Sequence, residues 1–568
     1  MVDNAIDHDD IELNRRAAMK LFGGGVTVGV LAGCIGDDDT ADDGVDDGDD
    51  DDFVPGEPGD PVEFDLMAPR YRTYDEEMRY VADQWEEHLG VTVNLEFRDW
   101  STHLAEIYGG DYETGIGFTS SGTTPARVDP QGVFGHLISD AIPSPNRSRW
   151  ANDEFDELFD QMVSEFDPDQ RSDIIGEMQE LVAEELPVLA HGWPPFISPT
   201  NTTLWDVEPA RFLGFSSFHR LGQYEAEPLT DETTLVFALV GDIETGNPIG
   251  VTESGVLSLL QSVFDTPRIF DHDGSVRDWA CDTEVVDDHT VALTLKDGVD
   301  EFTDGTEVTA DDLAFSFNYM AEHRPPEYAP VIPAVEGAEV VDDRTAHVNL
   351  SHPDAAFMTS TLPYFPILPE HVFEDIPEGD EPIEGVTMEP EEIVGFGPFD
   401  VVEWSSDRLR LVQNEDYFQG PPGPDEIILV GRGSMDAIRT DMVAGEVHAN
   451  HSIVPPGVAE EIEAGTDDVE IFADTSAHWE HLSWIVDVAP FDDLEFRRAL
   501  TRSVNIQEYS DVFWLGDWLP GDNTPVNPAH DLGVDLPTID ELFDPEEARS
   551  ILEDAGYTWE DDQLRYPE

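Results

Sequence analysis

The stretch 291–320, VALTLKDGVDEFTDGTEVTADDLAFSFNYM, decides the fold because a strand, a turn and a capped helix follow one another within it. Apolar residues alternate with small or polar ones over 291–295, which is the period of a half-buried strand, and Asp297-Gly298 then favours a turn. Thr309 stands three residues before Asp312, which predicts a helix N-cap. The predicted helix places three apolar side chains on one face: Leu313, Phe317 and Met320.

This stretch resembles a signature of the extracytoplasmic solute-binding proteins of peptide and nickel ABC transporters. Three further segments are similar to that family and follow in its order: GFGPFDVVEW with NEDYF within 395–418, PFDDLEFRRAL at 490–500, and DPEEARSILEDAGY at 544–557. The resemblance implies an α/β fold, a two-lobed periplasmic-binding-protein-like clamshell of the class II type with ligand bound between the lobes.

The composition indicates a large globular protein adapted to salt. The chain has 568 residues, 40% of them hydrophobic, and 126 acidic side chains against 27 Lys and Arg, for a net charge of -99. Such charge opposes compaction in dilute buffer, whereas at molar ionic strength the Debye length falls to about 3 Å. The lysines are Lys20 and Lys296 alone, a bias typical of halophilic proteins, and we expect a haloarchaeal source. Nucleic-acid partners are excluded because they require a basic face.

The N-terminal segment resembles a twin-arginine lipoprotein signal. Arg15 and Arg16 precede a short apolar run, and Leu31-Ala32-Gly33-Cys34 is similar to a lipobox. The resemblance implies a signal peptide at 1–33, export, and a lipid anchor on Cys34; an ordinary signal peptide with a chance cysteine is the alternative. Residues 34–60 are mostly Asp, Gly and Pro, which predicts an acidic disordered tether rather than a calcium-binding tract.

The order of the segments is unusual. Residues 62–97 predict a βαβ unit, and amphipathic helices follow, the second beginning at Asp167-Pro168. Segments between 62 and 207 resemble the C-terminal third of the family, yet here they come first. We interpret this order as a circular permutation, in which joining Glu568 to the region after Asp60 restores the order of the family; a fusion of fragments is the alternative.

The resemblance also suggests where the lobes divide. The smaller lobe is expected to comprise 61–112 plus 426–568, and the larger lobe 113–425. The two hinge segments are then predicted near 112–117 and 424–430.

Ligand-binding residues are expected in loops that face the cleft. In dipeptide-binding relatives, an Asp in the loop after the returning crossover pairs with the amino terminus of the peptide; here Ser121 stands nearest that position. Asp129 could substitute, although a solvated surface Asp is the alternative, and core packing is the alternative for each Trp. The predicted cleft residues are Phe118, Thr119, Ser120, Ser121, Asp129, Glu244, Asn247, Trp484, Trp514 and Trp518.

Neither a metal site nor an active site is indicated. His448 and His451, and likewise His478 and His481, are spaced to share a helix face, but no third ligand is identifiable. The sequence contains no G-x-S-x-G, H-E-x-x-H or P-loop motif. We therefore expect no metal, no cofactor and no enzymatic activity.

The predicted function is a monomeric, lipid-anchored solute-binding component of an ABC importer on the extracytoplasmic face of the cell membrane. It would capture a peptide or another small polar solute and deliver it to permease subunits. The alternatives are a surface sensor or interaction module with the same fold, or a carrier of an oligosaccharide or a nickel complex. A secreted hydrolase would require an acidic residue essential for turnover.

Overall fold

A computed structural model describes residues 56–70, 73–109, 115–121, 128–216, 219–243, 247–251, 254–325, 328, 332, 334–376, 386–451, 454–530 and 532–568. The predicted signal peptide, with Arg15 and Arg16, and the lipidation site Cys34 therefore lie outside the described residues. Among the residues that the structure describes, no helix is both long and apolar enough to cross a lipid bilayer.

The described residues form a mixed α/β structure. Its helices are α1 (Tyr74–Leu89), α2 (Trp100–Gly109), α3 (Pro130–Phe134), α4 (Asp153–Ser164), α5 (Pro168–Glu185), α6 (Arg220–Glu225), α7 (Ser254–Phe264), α8 (Ala310–His323), α9 (Glu370–Phe373), α10 (Met435–Val443), α11 (Pro456–Gly465), α12 (Leu494–Arg502), α13 (Ile506–Phe513), α14 (Ile539–Leu542) and α15 (Pro545–Asp554). Single turns of 3-10 helix cover Ser139–Ala141 and Pro390–Glu392, and a π-helical turn covers Phe357–Thr361.

The strands are β1 (Glu63–Pro69), β2 (Thr92–Arg98), β3 (Ile116–Ser121), β4 (Val188–Trp193), β5 (Pro195–Asn201), β6 (Trp205–Asp206), β7 (Glu227–Pro228), β8 (Thr234–Val240), β9 (Arg268–Phe270), β10 (Val276–Asp278), β11 (Cys281–Asp287), β12 (Thr290–Leu295), β13 (Val335–Asp342), β14 (Thr345–Leu350), β15 (Phe399–Ser405), β16 (Arg408–Gln413), β17 (Glu426–Arg432), β18 (Ala449–Asn450), β19 (Val469–Thr475), β20 (Trp479–Trp484), β21 (Leu519–Pro520), β22 (Thr558–Glu560) and β23 (Gln563–Arg565).

Three large sheets contain most of these strands, and the remaining strands form three two-stranded sheets. A six-stranded sheet has the order β2-β1-β3-β20-β4-β21, a seven-stranded sheet the order β15-β16-β17-β8-β18-β5-β19, and a four-stranded sheet the order β11-β12-β14-β13. The seven- and four-stranded sheets share one hydrophobic core, whereas the six-stranded sheet packs in cores of its own. The molecule is therefore two-lobed, as predicted.

The capped unit at 291–320 is confirmed. Strand β12 and helix α8 form where the pattern predicts them, and Thr309 and Asp312 make a reciprocal capping box. The periodicity predicts that five apolar side chains face the core, and all five are fully buried: Val291, Leu293, Leu313, Phe317 and Met320. Burial of these side chains ties the unit to the shared core of the seven- and four-stranded sheets.

The predicted βαβ unit is also confirmed. Strands β1 and β2 pair in parallel, and α1 between them buries Met78, Val81 and Trp85. Gly90 ends α1 at a φ of 75°, a left-handed conformation that glycine adopts without strain. Asp167 caps α5 with Pro168 at its first turn, as the sequence indicates.

The chain passes between the lobes at two neighbouring places. Strand β4 belongs to the six-stranded sheet and β5 to the seven-stranded sheet, with Pro194 between them; β19 and β20 are related in the same way across 476–478. We call residues 56–193 and 479–568 lobe A, and residues 195–475 lobe B. The hinge positions predicted near 112–117 and 424–430 are wrong, because β3 lies inside the sheet of lobe A and β17 inside the sheet of lobe B.

Backbone hydrogen bonds join the first and last described segments. Val62 N donates to Leu564 O (2.9 Å) and Tyr566 N donates to Asp60 O (3.0 Å). Gly59 N in turn donates to Tyr566 O (3.2 Å). Residues 56–60, which we predicted to be part of a disordered tether, are therefore ordered against the C-terminal strand, because their amides and carbonyls find partners there.

Candidate functional site

The crossovers adjoin the carboxyl edge of the lobe A sheet. Strands β1, β3 and β4 run in the same direction, and β20 runs antiparallel to β3 and β4, so that Trp479 at the start of β20 lies opposite Ser121 at the end of β3. In open α/β sheets, ligands bind outside the carboxyl ends of the strands. This edge is therefore the candidate site, and it faces lobe B.

Two buried carboxylates occupy this edge. Glu77 lies in the first turn of α1, just after β1, and Glu480 lies on β20; both are 0% exposed. One oxygen of Glu77 accepts a hydrogen bond from Thr73 Oγ1 (2.5 Å), and the other accepts one from Tyr509 OH. Burial of two acids in one region requires that neighbouring groups stabilise or neutralise them.

Imidazoles flank Glu480 on both sides. His191 Nε2 lies 3.6 Å from Oε2 of Glu480, and His478 Nε2 lies 3.5 Å from Oε1. Both separations exceed the usual hydrogen-bond length. The His191 side chain is 1% exposed.

Aromatic rings form the walls around these groups. The indole of Trp518 stacks on His191 with 5.4 Å between ring centroids and an interplanar angle of 17°. Trp514 lies 5.4 Å from Trp518, and Tyr509 lies 5.0 Å from Trp518. Phe118 lies 6.3 Å from His191. We call this set, Glu77, Phe118, His191, His478, Glu480, Tyr509, Trp514 and Trp518, the acidic chamber.

The ionisation of the acidic chamber differs from that of exposed groups. Burial, reinforced by the charge of Glu480, raises the pKa of Glu77 to about 8. Burial likewise lowers the pKa of His191 to about 4, although Glu77 opposes this shift. At neutral pH, His191 is therefore uncharged.

The opposite face of the same sheet carries a second polar group. Arg147 Nη1 donates to Thr119 Oγ1 (3.1 Å), and His481 stacks on Trp479 with 3.8 Å between centroids. Burial and the neighbouring Arg147 lower the pKa of His481 well below its usual range. The polar residues at this edge therefore divide into an acidic face and a face that contains arginine.

A third buried acid, Asp129, joins the lobes. Asp129 caps α3 in lobe A and receives two hydrogen bonds from Arg171, at 2.7 and 2.9 Å. Thr359, in the π-helical turn of lobe B, donates to the same carboxylate at 2.5 Å, and Gln131 Nε2 donates to Asp354 of lobe B at 3.0 Å. We call Asp129, Gln131, Arg171, Asp354 and Thr359 the interlobe latch.

The lobes are closed on each other near the crossovers. His530 of lobe A stacks on Phe212 of lobe B at 4.3 Å. A cavity of about 10 Å³ remains beside this contact, lined in part by Val128, Trp193, Ala477 and Asn527. Such a cavity has room for about one water molecule.

The structure brings some of the predicted cleft residues together. Phe118, Trp514 and Trp518 meet in the acidic chamber, and Thr119 lies on the opposite face of the sheet. The backbones of Ser120 and Ser121 belong to β3, but their side chains and all of Glu244 lie outside the described residues.

Three other predictions for the cleft need correction. Trp484 is fully buried and donates to Leu186 O (2.7 Å), so it is a core residue. Asn247 is buried and links its own loop to a distant segment, because Oδ1 accepts from Ile249 N and Nδ2 donates to Val386 O. Asp129 is neither a solvated surface charge nor a free anchor for an amine, because Arg171 occupies its carboxylate.

The spacing of the histidine pairs predicted shared helix faces, and this prediction is wrong. His448 and His451 flank the short strand β18, His481 lies on β20, and His478 directly precedes it, so within each pair the side chains alternate as strand residues do. Over the described ranges, no group of three or more His, Cys, Asp or Glu side chains is arranged to hold a metal ion.

Sequence reasoning missed Glu77, His191 and Glu480. A signal existed for Glu77, because it stands on the same helix face as Tyr74, Met78 and Val81 and so had to be buried. For Glu480 and His191 no local signal exists, because they are 289 positions apart in the chain and only the pairing of β4 with β20 brings them together.

A family comparison now identifies the type of protein. Residues 276–567 match the model of the bacterial extracellular solute-binding proteins, family 5 Middle. The chain belongs to this family. The match covers the last four strands of lobe A and most of lobe B, and the periplasmic-binding-protein-like fold is thus confirmed together with its two lobes.

Similar proteins include binders of chemically different solutes. The oligopeptide-binding protein AppA of Bacillus subtilis is 25% identical over 275 residues, which are 47% of this chain and 48% of that protein. Heme-binding protein A of Haemophilus influenzae is 25% identical over 276 residues, 45% of this chain and 48% of that protein. The chain spans about half the length of the curated relatives it matches.

Solved structures give a weaker likeness. The structure of Bacillus subtilis AppA with a nonapeptide has a TM-score of 0.42 and 21% identity, covering 58% of this chain and 65% of that one. NikZ of Campylobacter jejuni with Ni(L-His) has a TM-score of 0.43 and 18% identity, covering 59% and 65%.

Proposed function

We infer that the protein is the solute-binding component of an ABC importer. It holds a peptide or another small polar solute between lobes A and B and delivers it to a membrane permease. The observation that carries this proposal is the position of the acidic chamber, at the carboxyl edge of the lobe A sheet and within a few residues of both crossovers. Membership of a family of solute-binding proteins supports it.

Transport would use the equilibrium between separated and closed lobes. A ligand that contacts both lobes binds the closed state better, and it shifts the equilibrium by that difference in affinity. The interlobe latch and the stack of Phe212 on His530 already favour closure. The permease would then distinguish the closed, loaded protein from the open one.

The proposed location is the extracytoplasmic face of the membrane. Arg15 and Arg16 would direct export, and a lipid on Cys34 would anchor the mature protein as a monomer. The net charge of -99 favours a halophilic, haloarchaeal cell, since molar salt screens this repulsion. Twin-arginine export carries folded proteins and so suits a protein that folds in cytoplasmic salt.

We further propose that the family fold is circularly permuted here. Two observations support it: the hydrogen-bonded pairing of 59–62 with 564–566, and the resemblance of segments within 62–207 to the C-terminal third of the family. A chain that joins Glu568 to Asp60 through a short linker and opens before Thr233 should fold to the same two lobes. Circular dichroism and urea unfolding in molar KCl would test this; loss of cooperative unfolding in the rearranged chain would contradict it.

The function is tested by ligand binding. Protein purified in molar KCl should retain a small molecule that mass spectrometry of the denatured sample detects. Re-addition of that molecule should raise the melting temperature, because a ligand that binds the folded state stabilises it by mass action. Absence of stabilisation by any member of a wide set of peptides, sugars, amines and metal chelates would contradict the proposal.

A further inference from the structure

The two crossovers between the lobes are hydrogen-bonded to each other. Ser476, in the second crossover, donates from Oγ to Pro194 O of the first at 2.6 Å, and His478 N donates to the same hydroxyl at 3.2 Å. Ser476 is 0% exposed. A rotation of lobe A against lobe B therefore has to involve both crossovers at once.

A loop of lobe A, residues 519–530, begins beside the first crossover, and we call it the crossover clasp. In strand β21, Leu519 pairs with Trp193, the last residue before that crossover. Gly521 N then donates to His191 O at 3.1 Å. A Cβ atom at Gly521 would collide with the backbone of β4, so glycine permits this close approach. The start of the clasp is therefore fixed to lobe A.

The end of the crossover clasp reaches the second crossover through Asn527. This side chain is 4% exposed, and its Nδ2 donates to Thr475 Oγ1 at 2.7 Å and to Ser476 O at 2.9 Å. Its Oδ1 accepts from Ala529 N at 2.9 Å. Because a backbone carbonyl only accepts and a backbone N–H only donates, this network fixes the orientation of the side-chain amide.

The two donated hydrogen bonds span the boundary between lobe B and the crossover. Thr475 is the last residue of β19 in lobe B, and Ser476 is the first residue of the crossover. A hinge opens by changes in φ and ψ at a few such residues. Since one NH2 group binds an oxygen atom of each residue, it restrains the torsions between them. Rotation of lobe B would misalign at least one of these bonds, and hydrogen bonds weaken steeply with misalignment.

We propose that Asn527 is a positioning residue that holds the crossovers at the angle of the closed lobes. The stack of His530 on Phe212 of lobe B, at the end of the same clasp, adds to this effect. The significance of the clasp for transport rests on the proposed function, in which lobe movement admits and releases solute. The interlobe latch joins the two lobes directly, whereas the clasp acts at the pivot between them.

Small-angle scattering of the full chain, dialysed free of solute in molar KCl, tests this role. Asn527→Asp keeps an oxygen atom that accepts from Ala529 N, but it removes both donated hydrogen bonds and places a carboxylate against Ser476 O. We expect a larger radius of gyration than in the wild type. Equal radii for Asn527→Asp and the wild type overturn the proposal.

A second buried asparagine provides a matched control. Asn146 is 0% exposed, and its Nδ2 donates to three carbonyl oxygens within lobe A, those of Leu137, Ile138 and Trp150. Asn146→Asp therefore causes the same chemical change away from the pivot. It should lower the melting temperature and keep the wild-type radius of gyration. An equal expansion in both variants would reflect lost stability alone and would overturn the role of Asn527.

A milder substitution guards against misfolding of Asn527→Asp. Thr475→Val removes one of the two acceptors and keeps the shape of the side chain, so the radius of gyration should increase by less than in Asn527→Asp. Circular dichroism would establish that each variant is folded. If Asn527→Asp does not fold, a wild-type radius in Thr475→Val overturns the assignment.

These measurements do not depend on the identity of the solute. If the variants expand as expected and no member of the wide ligand set binds, the proposed function fails and the clasp remains as a property of the hinge. If a solute binds and the radius does not respond to Asn527→Asp, the clasp fails and the proposed function remains.

Discussion

The interlobe latch and the acidic chamber both bury carboxylates, yet their ionisation differs in direction. Burial raises the pKa of Asp129, but the Arg171 guanidinium more than offsets this effect and lowers it to about 2. In the acidic chamber, burial and the charge of Glu480 raise the pKa of Glu77 to about 8. For these two acids, the presence of a hydrogen-bonded arginine beside one and its absence beside the other set the direction of the pKa shift.

The two groups of acids also differ in the donors that surround them. Asp129 accepts hydrogen bonds from Arg171, Thr359 and the backbone of Gln131, and these donors stabilise its negative charge. The acids of the chamber have Tyr509, Thr73 and imidazoles, which can exchange protons or turn toward a ligand. The latch is therefore suited to hold the lobes, and the chamber to respond to what lies between them.

Removal of the arginine of the latch should have the largest effect. Arg171→Leu leaves Asp129 buried without its cation, and we expect the free energy of unfolding to fall by about 3–5 kcal/mol. Urea unfolding in molar KCl, followed by tryptophan fluorescence, would measure it. Addition of Asp129→Asn to this variant should restore part of the loss.

An exposed arginine provides the control for this experiment. Arg498 pairs with Glu495 at 2.6 Å on the surface of α12, and Arg498→Leu should change the free energy of unfolding by less than about 1 kcal/mol. Similar losses from Arg171→Leu and Arg498→Leu would show that the latch is no more than an ordinary surface pair.

Glu77 should make stability depend on pH in the opposite direction from Asp129. The folded protein binds the proton of Glu77 more tightly than the unfolded chain does, so stability is greatest below the unfolded pKa and falls as pH rises toward about 8. Asp129 contributes stability above its unfolded pKa, and this is lost as pH falls toward 2. Between pH 5 and 9 the free energy of unfolding of the wild type should decline, and Glu77→Gln should make this decline smaller by roughly 2–4 kcal/mol.

The slope of stability against pH is the quantity to compare, because glutamine also changes the hydrogen bonds to Thr73 and Tyr509. Urea midpoints at several pH values would give it. Glu76→Gln, an exposed neighbour in the same helical turn, should keep the wild-type slope. Parallel curves for wild type and Glu77→Gln would mean that Glu77 does not hold its proton in the folded protein.

The features that were predicted correctly from the sequence are those that depend on residues close together in the chain. The capping box of Thr309 and the buried face of α8 depend on residues within a few positions of each other, and both formed as expected. The crossovers were misplaced because the sheet to which a strand belongs depends on partners far along the chain, as when β3 pairs with β20. Periodicity identifies a strand but not its neighbour.

The candidate site shows the same limit. Tryptophans 514 and 518 were predicted from their place after an arginine-containing helix, but His191, on which Trp518 stacks, lies more than 300 residues earlier. Asp129 was recognised as notable, yet its donor Arg171 is 42 positions away and Thr359 is 230 away. In a chain with 126 acids, helical periodicity indicates the burial of Glu77, but no local pattern distinguishes Asp129 or Glu480.

The smallest expected effect concerns the contact of the latch with lobe B. Thr359→Val removes the hydroxyl that donates to Asp129 but keeps the shape of the side chain, and Arg171 still holds the charge. We expect a loss of about 1.5 kcal/mol in the free energy of unfolding, typical of a hydrogen bond to a charged group. Thr558→Val, at an exposed position on β22, should change it little.

The same variant shows whether the latch holds the lobes together or only stabilises lobe A. Because Thr359 belongs to lobe B and Asp129 to lobe A, loss of their hydrogen bond should also favour separated lobes. Small-angle scattering of Thr359→Val should then show a larger radius of gyration than wild type, and a saturating ligand should reverse the increase. An unchanged radius together with the full loss of stability would confine the role of Asp129 to its own lobe.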